Sequence, residues 1–108
     1  MTIDKKSFVG SVNGINCTTR NKALEEIGRA FNFPNYYGKN LDALYDCLTD
    51  LSWLEYNKVY FVINNKEEFL KSESPETKAV FLDLLKDVKE DWVNNDEKEF
   101  TLLYTSKT

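Results

Sequence analysis

The sequence predicts an α/β fold: a small three-stranded parallel sheet covered by about four helices, in the order β-α-α-β-α-α-β. Two observations carry this. Short apolar runs stand near the start, the middle and the end of the chain, and the stretches between them place apolar residues at helical spacing. Strands separated by helical crossovers pair in parallel, with right-handed connections. At 108 residues, with 42% hydrophobic and 14% aromatic content, the chain is read as one domain over 1–108 with one modest core.

The first run, Phe8-Val9-Gly10-Ser11-Val12, reads as a strand, and Asn13-Gly14 breaks it with turn chemistry. The stretch that follows lacks apolar alternation, so no hairpin is expected. Ala23, Leu24, Ile27, Ala30 and Phe31 share one helical face, with Thr19 or Asn21 as the cap and Pro34 as the stop. A loop, Asn35-Tyr36-Tyr37-Gly38, leads to a second helix from about Leu41 to Leu51, capped by Asn40. The run Lys58-Val59-Tyr60-Phe61-Val62-Ile63 has no alternation and reads as a central strand buried on both faces. A short helix is expected from Lys66 to Leu70. Ser74-Pro75-Glu76 is a strong helix start, and Val80, Phe81, Leu84, Leu85, Val88 and Trp92 line one face behind it. Asn94-Asn95 ends this fourth helix, and Phe100-Thr101-Leu102-Leu103-Tyr104 is the last strand.

Composition excludes several functions. Eighteen acids against fourteen bases give a net charge of −4, which opposes non-specific nucleic-acid binding and suits a basic partner. No run is apolar enough to span a membrane, and no secretory leader is visible behind Met1, so a cytoplasmic location is expected. There is no histidine, which removes the usual catalytic triads and zinc sites. The two cysteines are read as packed or half-packed reduced thiols; Cys47 lies among acids that disfavour its thiolate, and the loop position of Cys17 leaves exposure as its alternative. No enzyme activity, cofactor or metal is expected.

The informative segment is the second helix. At 100° per residue, Leu41, Leu44, Leu48 and Leu51 share one side, and Asp42, Asp46 and Asp50 fall opposite, one turn apart. Tyr45 and Thr49 lie on the border. Like charges at i and i+4 destabilise a helix by roughly 0.2–0.5 kcal/mol per pair, and Asp50 also opposes the helix dipole. Lys39 is the local compensation. A solvated acidic face and a surface built to meet positive charge both account for the pattern. A metal site does not suit it, because carboxylates stacked along one helix converge poorly on one ion. Tyr36, Tyr37 and Tyr45 flank the acids, and tyrosine is enriched at binding hot spots, although Tyr37 suits the core.

The segment Pro34-x-Tyr36-Tyr37-Gly38-x-Asn40-Leu41-Asp42-Ala43-Leu44-x-Asp46-Cys47-Leu48-Thr49 closely resembles the defining stretch of the barstar family. Asn13-Gly14 matches a further pair upstream. The resemblance implies a three-stranded parallel sheet with packed helices, and an intracellular inhibitor of a basic, secreted, barnase-like ribonuclease bound 1:1. The family's second helix and preceding loop fill the enzyme's active-site cleft, where carboxylates stand in for RNA phosphates. By residue, the resemblance implies that Asp46 meets the enzyme's phosphate-binding cations, that Asp42 is another interfacial acid, and that Tyr36 packs on the catalytic histidine. Gly38, Asn40 and Thr49 match further contact positions, and Asp87 matches an interfacial glutamate.

This chain departs from the best-known family pattern at several positions. Tyr45 stands in place of a tryptophan, Lys39 in place of an acid, and Asp50 in place of a glycine. Tyr45 and Asp50 nonetheless belong to the expected binding face. The family's second interfacial tryptophan aligns with Leu51 without a gap, or with Trp53 after a shift. Residues 52–57 and 94–99 are longer than in the family. The alternative to ribonuclease inhibition is a barstar-fold binding module with a non-ribonuclease partner.

Overall fold

The computed structural model describes residues 7–95 and 97–106. Strand β1 (Ser7–Asn13), helix α1 (Arg20–Ala30), helix α2 (Leu41–Asp50), strand β2 (Lys58–Asn64), helix α3 (Pro75–Asn95) and strand β3 (Glu99–Tyr104) follow in chain order. The strands form one parallel sheet, β1-β2-β3, with β2 in the middle. The register sets Phe61 between Gly10 and Leu102, and Ile63 between Val12 and Tyr104.

The inner face of the sheet carries the core. Val59, Phe61 and Ile63 of β2 are fully buried and join Leu24, Ile27, Leu44, Leu48, Phe81, Leu85 and Val88 in one apolar cluster. Gly10 lets α1 close on the sheet, because a Cβ there would overlap the Phe31 ring. Phe31 in turn packs edge-on against Phe61 at 5.0 Å.

The outer face is a correction to the expected two-sided burial. Tyr60 and Val62 are only half-buried, and their neighbours Val9 and Leu103 are 58% and 44% exposed. A β-branched run without alternation states that a strand suits a sheet. It does not state on which side the helices lie.

A second correction concerns residues 66–70. They form consecutive turns rather than a helix, with Glu68 N–H bonded to Asn65 C=O and Phe69 N–H to Lys66 C=O. Leu70 adopts a left-handed backbone, φ 60°, which stops helical continuation there. The remaining one-turn element is a 3₁₀ segment, Gly14–Asn16, entered through Asn13, whose Oδ1 accepts from Ile15 N–H at 3.0 Å. Gly14 is required there, since a Cβ would overlap the Asn65 carbonyl.

The helix ends follow local chemistry. Thr19, not Asn21, caps α1, accepting from Lys22 N–H at 3.2 Å. The helix stops before Pro34: Asn32 turns left-handed at φ 55°, and Phe33 N–H bonds back to Gly28 C=O. Ser74 caps α3 by accepting from Thr77 N–H at 3.1 Å. Cys17 and Cys47 are both buried free thiols, as the packed reading expects; the Cys17 carbonyl accepts from Leu70 N–H and draws its loop under the turns. The two longer segments meet each other: Lys98 donates to the carbonyls of Leu54 and Tyr56, both at 2.8 Å.

Candidate functional site

Asn40 starts α2, its Oδ1 accepting from Ala43 N–H at 2.8 Å. From that cap the helix presents Leu44, Cys47 and Leu48 to the core and Asp42, Asp46 and Asp50 to solvent. The far end is held from α3: buried Trp92 donates its indole N–H to the Leu48 carbonyl at 2.8 Å. That carbonyl belongs to the last turn, where helix carbonyls lack an intrahelical partner.

Helix α3 has three faces. Phe81, Leu85, Val88 and Trp92 point down into the core. Val80, Leu84, Asp87 and Asp91 lie on one flank, within roughly 60° of one another, and turn toward α2. Val80 was expected in the core, yet it is 55% exposed, because the face that packs is centred one residue further on, at Phe81. The opposite flank carries Lys78, Leu82, Lys86 and Lys89.

Between α2 and α3 runs an open valley of about 600 Å³, lined by Asp42, Tyr45, Asp46, Val80, Asp83, Leu84 and Asp87. Two rows of carboxylates with the same spacing therefore meet at one groove: Asp42 and Asp46 of α2 and Asp83 and Asp87 of α3 line it, and Asp50 and Asp91 continue the two rows one turn further along each helix. The floor between them is apolar. Among the described residues none of these six acids has an ion-pair partner. Lys39, the expected compensation, turns instead to Glu25 of α1 at 3.9 Å. Tyr45 sits at the centre. Desolvation, then the carboxylates of Asp91, Asp87 and Asp46, hold its phenol above the ordinary tyrosine value.

Tyr36 stands at the lip of the loop before α2 with 75% of its surface exposed. Its neighbour Tyr37 does the opposite. It packs edge-on against Phe33 at 4.6 Å and donates its hydroxyl to the Leu24 carbonyl at 3.0 Å. Gly38 is exposed, and a Cβ there would press the Asn40 amide at 3.1 Å. Thr49 spends its hydroxyl proton on the Tyr45 carbonyl at 2.7 Å, so its methyl and lone pairs are what it can offer outward.

The structure thus brings Asp42, Tyr45, Asp46 and Asp87 to one groove. Asp50 is exposed one turn beyond Asp46 on α2, and Tyr36, Gly38 and Asn40 are exposed in the loop that leads into the helix; none of these four lines the groove. Asp83, Asp91, Val80 and Leu84 were not anticipated as part of this surface. The first two repeat the i, i+4 spacing of the α2 acids and could have been found by it. Leu51 is fully buried at the left-handed end of α2, φ 50°, and is removed from any docking surface. Trp53 is half-buried and donates its indole N–H to the Phe31 carbonyl at 2.9 Å, so neither position offers a free aromatic ring.

No group of described residues is arranged to hold a metal ion. Burial, then the nearby Asp50 and Asp46, raises the Cys47 thiol. Burial, then Glu26, pushes Cys17 up to about 12. Both shifts oppose a thiolate nucleophile.

The family model described as Barstar (barnase inhibitor) matches residues 8–105. The chain belongs to the barstar family. Members of that family are inhibitors rather than enzymes, and their partner is a ribonuclease. The match runs through every described strand and helix, from β1 to β3, so it covers the valley and the tyrosine loop together. A shorter similarity links this barstar-family chain to the protein named "Putative ribonuclease inhibitor YrdF" of Bacillus subtilis (strain 168), 48% identical over 31 residues. That stretch is 29% of this chain and spans 32% of that protein's length. Among the described residues no helix is long and apolar enough to cross a membrane.

Proposed function

We propose that this chain inhibits a basic, secreted, barnase-like ribonuclease by seating the α2–α3 valley and Tyr36 over the enzyme's phosphate-binding cleft. The observation that carries this reading is the pair of carboxylate rows facing one groove without a single cation among the described residues. Such a surface is unfavourable in the free protein and becomes favourable only against positive charge. A ribonuclease cleft supplies that charge, because it must hold the phosphates of its substrate.

The roles divide by position. Asp46 and Asp42 lie in the groove from the α2 side and stand in for successive phosphates. Asp87, with Asp83 and Asp91, meets cations from the α3 side. Tyr36 is exposed, rigid and amphipathic, and covers the catalytic centre with its ring. Gly38 and Asn40 hold the turn that presents it, Thr49 and Asp50 extend the contact at the far end, and Tyr45 closes the valley floor. The acidic field steers encounter with a basic enzyme, and close packing slows release. The complex is 1:1 and forms where the chain resides, in the cytoplasm, protecting the producing cell.

The test is cleavage of a fluorogenic RNA by a barnase-type ribonuclease, titrated with the wild type and with Asp46→Ala. Stoichiometric inhibition by the first, lost in the second, is the expected result. Absence of inhibition by the wild type at micromolar concentration would remove barnase-type enzymes as the target and favour a different partner for the same surface.

A further inference from the structure

The flank of α3 that turns away from the valley has its own groove, of about 710 Å³, between α3 and the open edge of the sheet. Its floor is apolar: Leu82 of α3, Leu102 and Tyr104 of β3, with Phe69 beneath. Its rim carries Lys66, Lys78, Lys86 and Lys89 against two acids, Glu67 and Asp83. In a chain of net charge −4 this is a local reversal of sign. Among the described residues none of the four lysines has an ion-pair partner.

The third feature is the strand edge. Glu99 N–H bonds to Asn57 C=O and Thr105 N–H to Ile63 C=O, both at 2.9 Å, so the odd-numbered residues of β3 face β2. The ladder has a period of two, so Phe100, Leu102 and Tyr104 turn their N–H and C=O groups off the open edge. At the opposite edge of the sheet, Gly10 and Val12 on the inner face are buried and Phe31 covers Gly10. At the β3 edge Leu102 is only half-buried and Tyr104 is 39% exposed. Backbone groups, an apolar floor and unpaired ammonium groups therefore meet along one line.

We propose that this edge accepts an extended segment of a partner protein as a fourth strand, with acidic side chains on its inward face. The segment hydrogen-bonds to the backbone of Leu102 and Tyr104, Phe100 being buried at the start of the strand. Inward glutamates lay their aliphatic stems over Leu82 and Leu102 and carry their carboxylates to Lys78, Lys86 and Lys89. Outward apolar residues lie beside Leu103, which is 44% exposed. From Lys78 to Lys89 the helix rises roughly 16 Å, the reach of about five residues of strand. Main-chain bonds supply affinity in such additions, and the alternate side chains supply selection. This groove and the acidic valley are centred on opposite flanks of α3 and share Asp83 at their rims, and the inference does not rest on ribonuclease inhibition.

The probe is a blocked heptapeptide of alternating valine and glutamate, titrated into the ¹⁵N-labelled full chain and followed by amide shifts. The expected result is saturable shifts at residues 100–105 and along 78–89. Affinity should fall at least tenfold for Lys86→Glu/Lys89→Glu, and also for Leu102→Pro, which removes one edge N–H without touching the β2 ladder. The charge-reversal variant changes exposed helix positions only, so it remains informative if the proline variant does not fold. Equal binding of an alternating valine–lysine peptide would overturn the proposal. So would shifts confined to the lysines and reproduced by inorganic phosphate, which would mark an anion site, or by dodecanoate, which would mark an amphiphile site.

Discussion

Replacing Asp46 by alanine should stabilise the free protein and cripple its binding. Asp46 is exposed, has no cation near it among the described residues, and stands one turn from both Asp42 and Asp50. Removing it abolishes two like-charge i, i+4 contacts, together about 0.4–1 kcal/mol. Alanine adds up to about 0.7 kcal/mol of helix propensity. The free protein should gain about 1 kcal/mol, less at high salt, where surface repulsion is already screened. Binding moves the other way. Truncating one partner of a buried interfacial charge pair costs about 2–5 kcal/mol, a range to which this family's own complexes contribute, because the partner's cations stay buried and unpaired. At about 1.4 kcal/mol per decade, inhibition weakens roughly 30-fold to several thousand-fold. Urea unfolding at low and moderate salt measures the first effect, and the inhibition constant against a fluorogenic RNA measures the second. A variant that unfolds more easily by 1 kcal/mol, with its inhibition constant unchanged, would show that Asp46 serves the fold rather than a partner.

Four further outcomes follow from the same geometry. Association with a basic ribonuclease should slow steeply as salt rises, read by stopped-flow; a rate indifferent to ionic strength would remove electrostatic steering from the mechanism. Tyr36→Ala should change stability by no more than about 0.5 kcal/mol while weakening inhibition at least tenfold, whereas Tyr37→Phe should cost about 0.5–1.5 kcal/mol of stability by losing the bond to the Leu24 carbonyl, both read from urea midpoints. Trp92→Phe should cost about 1–3 kcal/mol, because the Leu48 carbonyl loses its buried donor, with the largest amide shifts at the end of α2. Above pH 9 the unfolded chain releases the Cys17 proton, while the folded chain keeps it up to about 12. The Cys17 contribution is therefore intact below pH 9 and is lost above it by roughly 1 kcal/mol per pH unit, and Cys17→Ala should lessen the slope of a urea series run from pH 8 to 11.

Much of the architecture was legible because its signals are local. Asn40 and Ser74 are caps by virtue of side chains that reach their own next turn, and both act as the sequence implied. The strands at 7–13, 58–64 and 99–104 and the crossovers between them follow from apolar runs and helical spacing. The acids of α2 share a face for the same reason: helical geometry alone puts Asp42, Asp46 and Asp50 in line.

What failed lay beyond the reach of neighbours in sequence. Residues 66–70 had helical composition, but Leu70 had to donate to the Cys17 carbonyl across 53 positions, and the segment folded into turns to do it. The exposure of Val9 and Leu103 depends on all helices lying on one side of the sheet, which no strand records in its own residues.

The sequence by itself determined the three strands, the three helices that form, the Asn40 and Ser74 caps and the single acidic face of α2, because each depends on residues within a few positions of one another. Only the tertiary structure decided that α3 lies alongside α2, with the Trp92 indole on the Leu48 carbonyl, so that a second row of aspartates faces the first. It alone turned Tyr36 outward and Tyr37 inward, and set a lysine-rimmed groove on the other flank of the same helix. Those outcomes depend on which faces of separate helices meet, and that choice is made by packing volume and by the pairing of buried polar groups across the whole core.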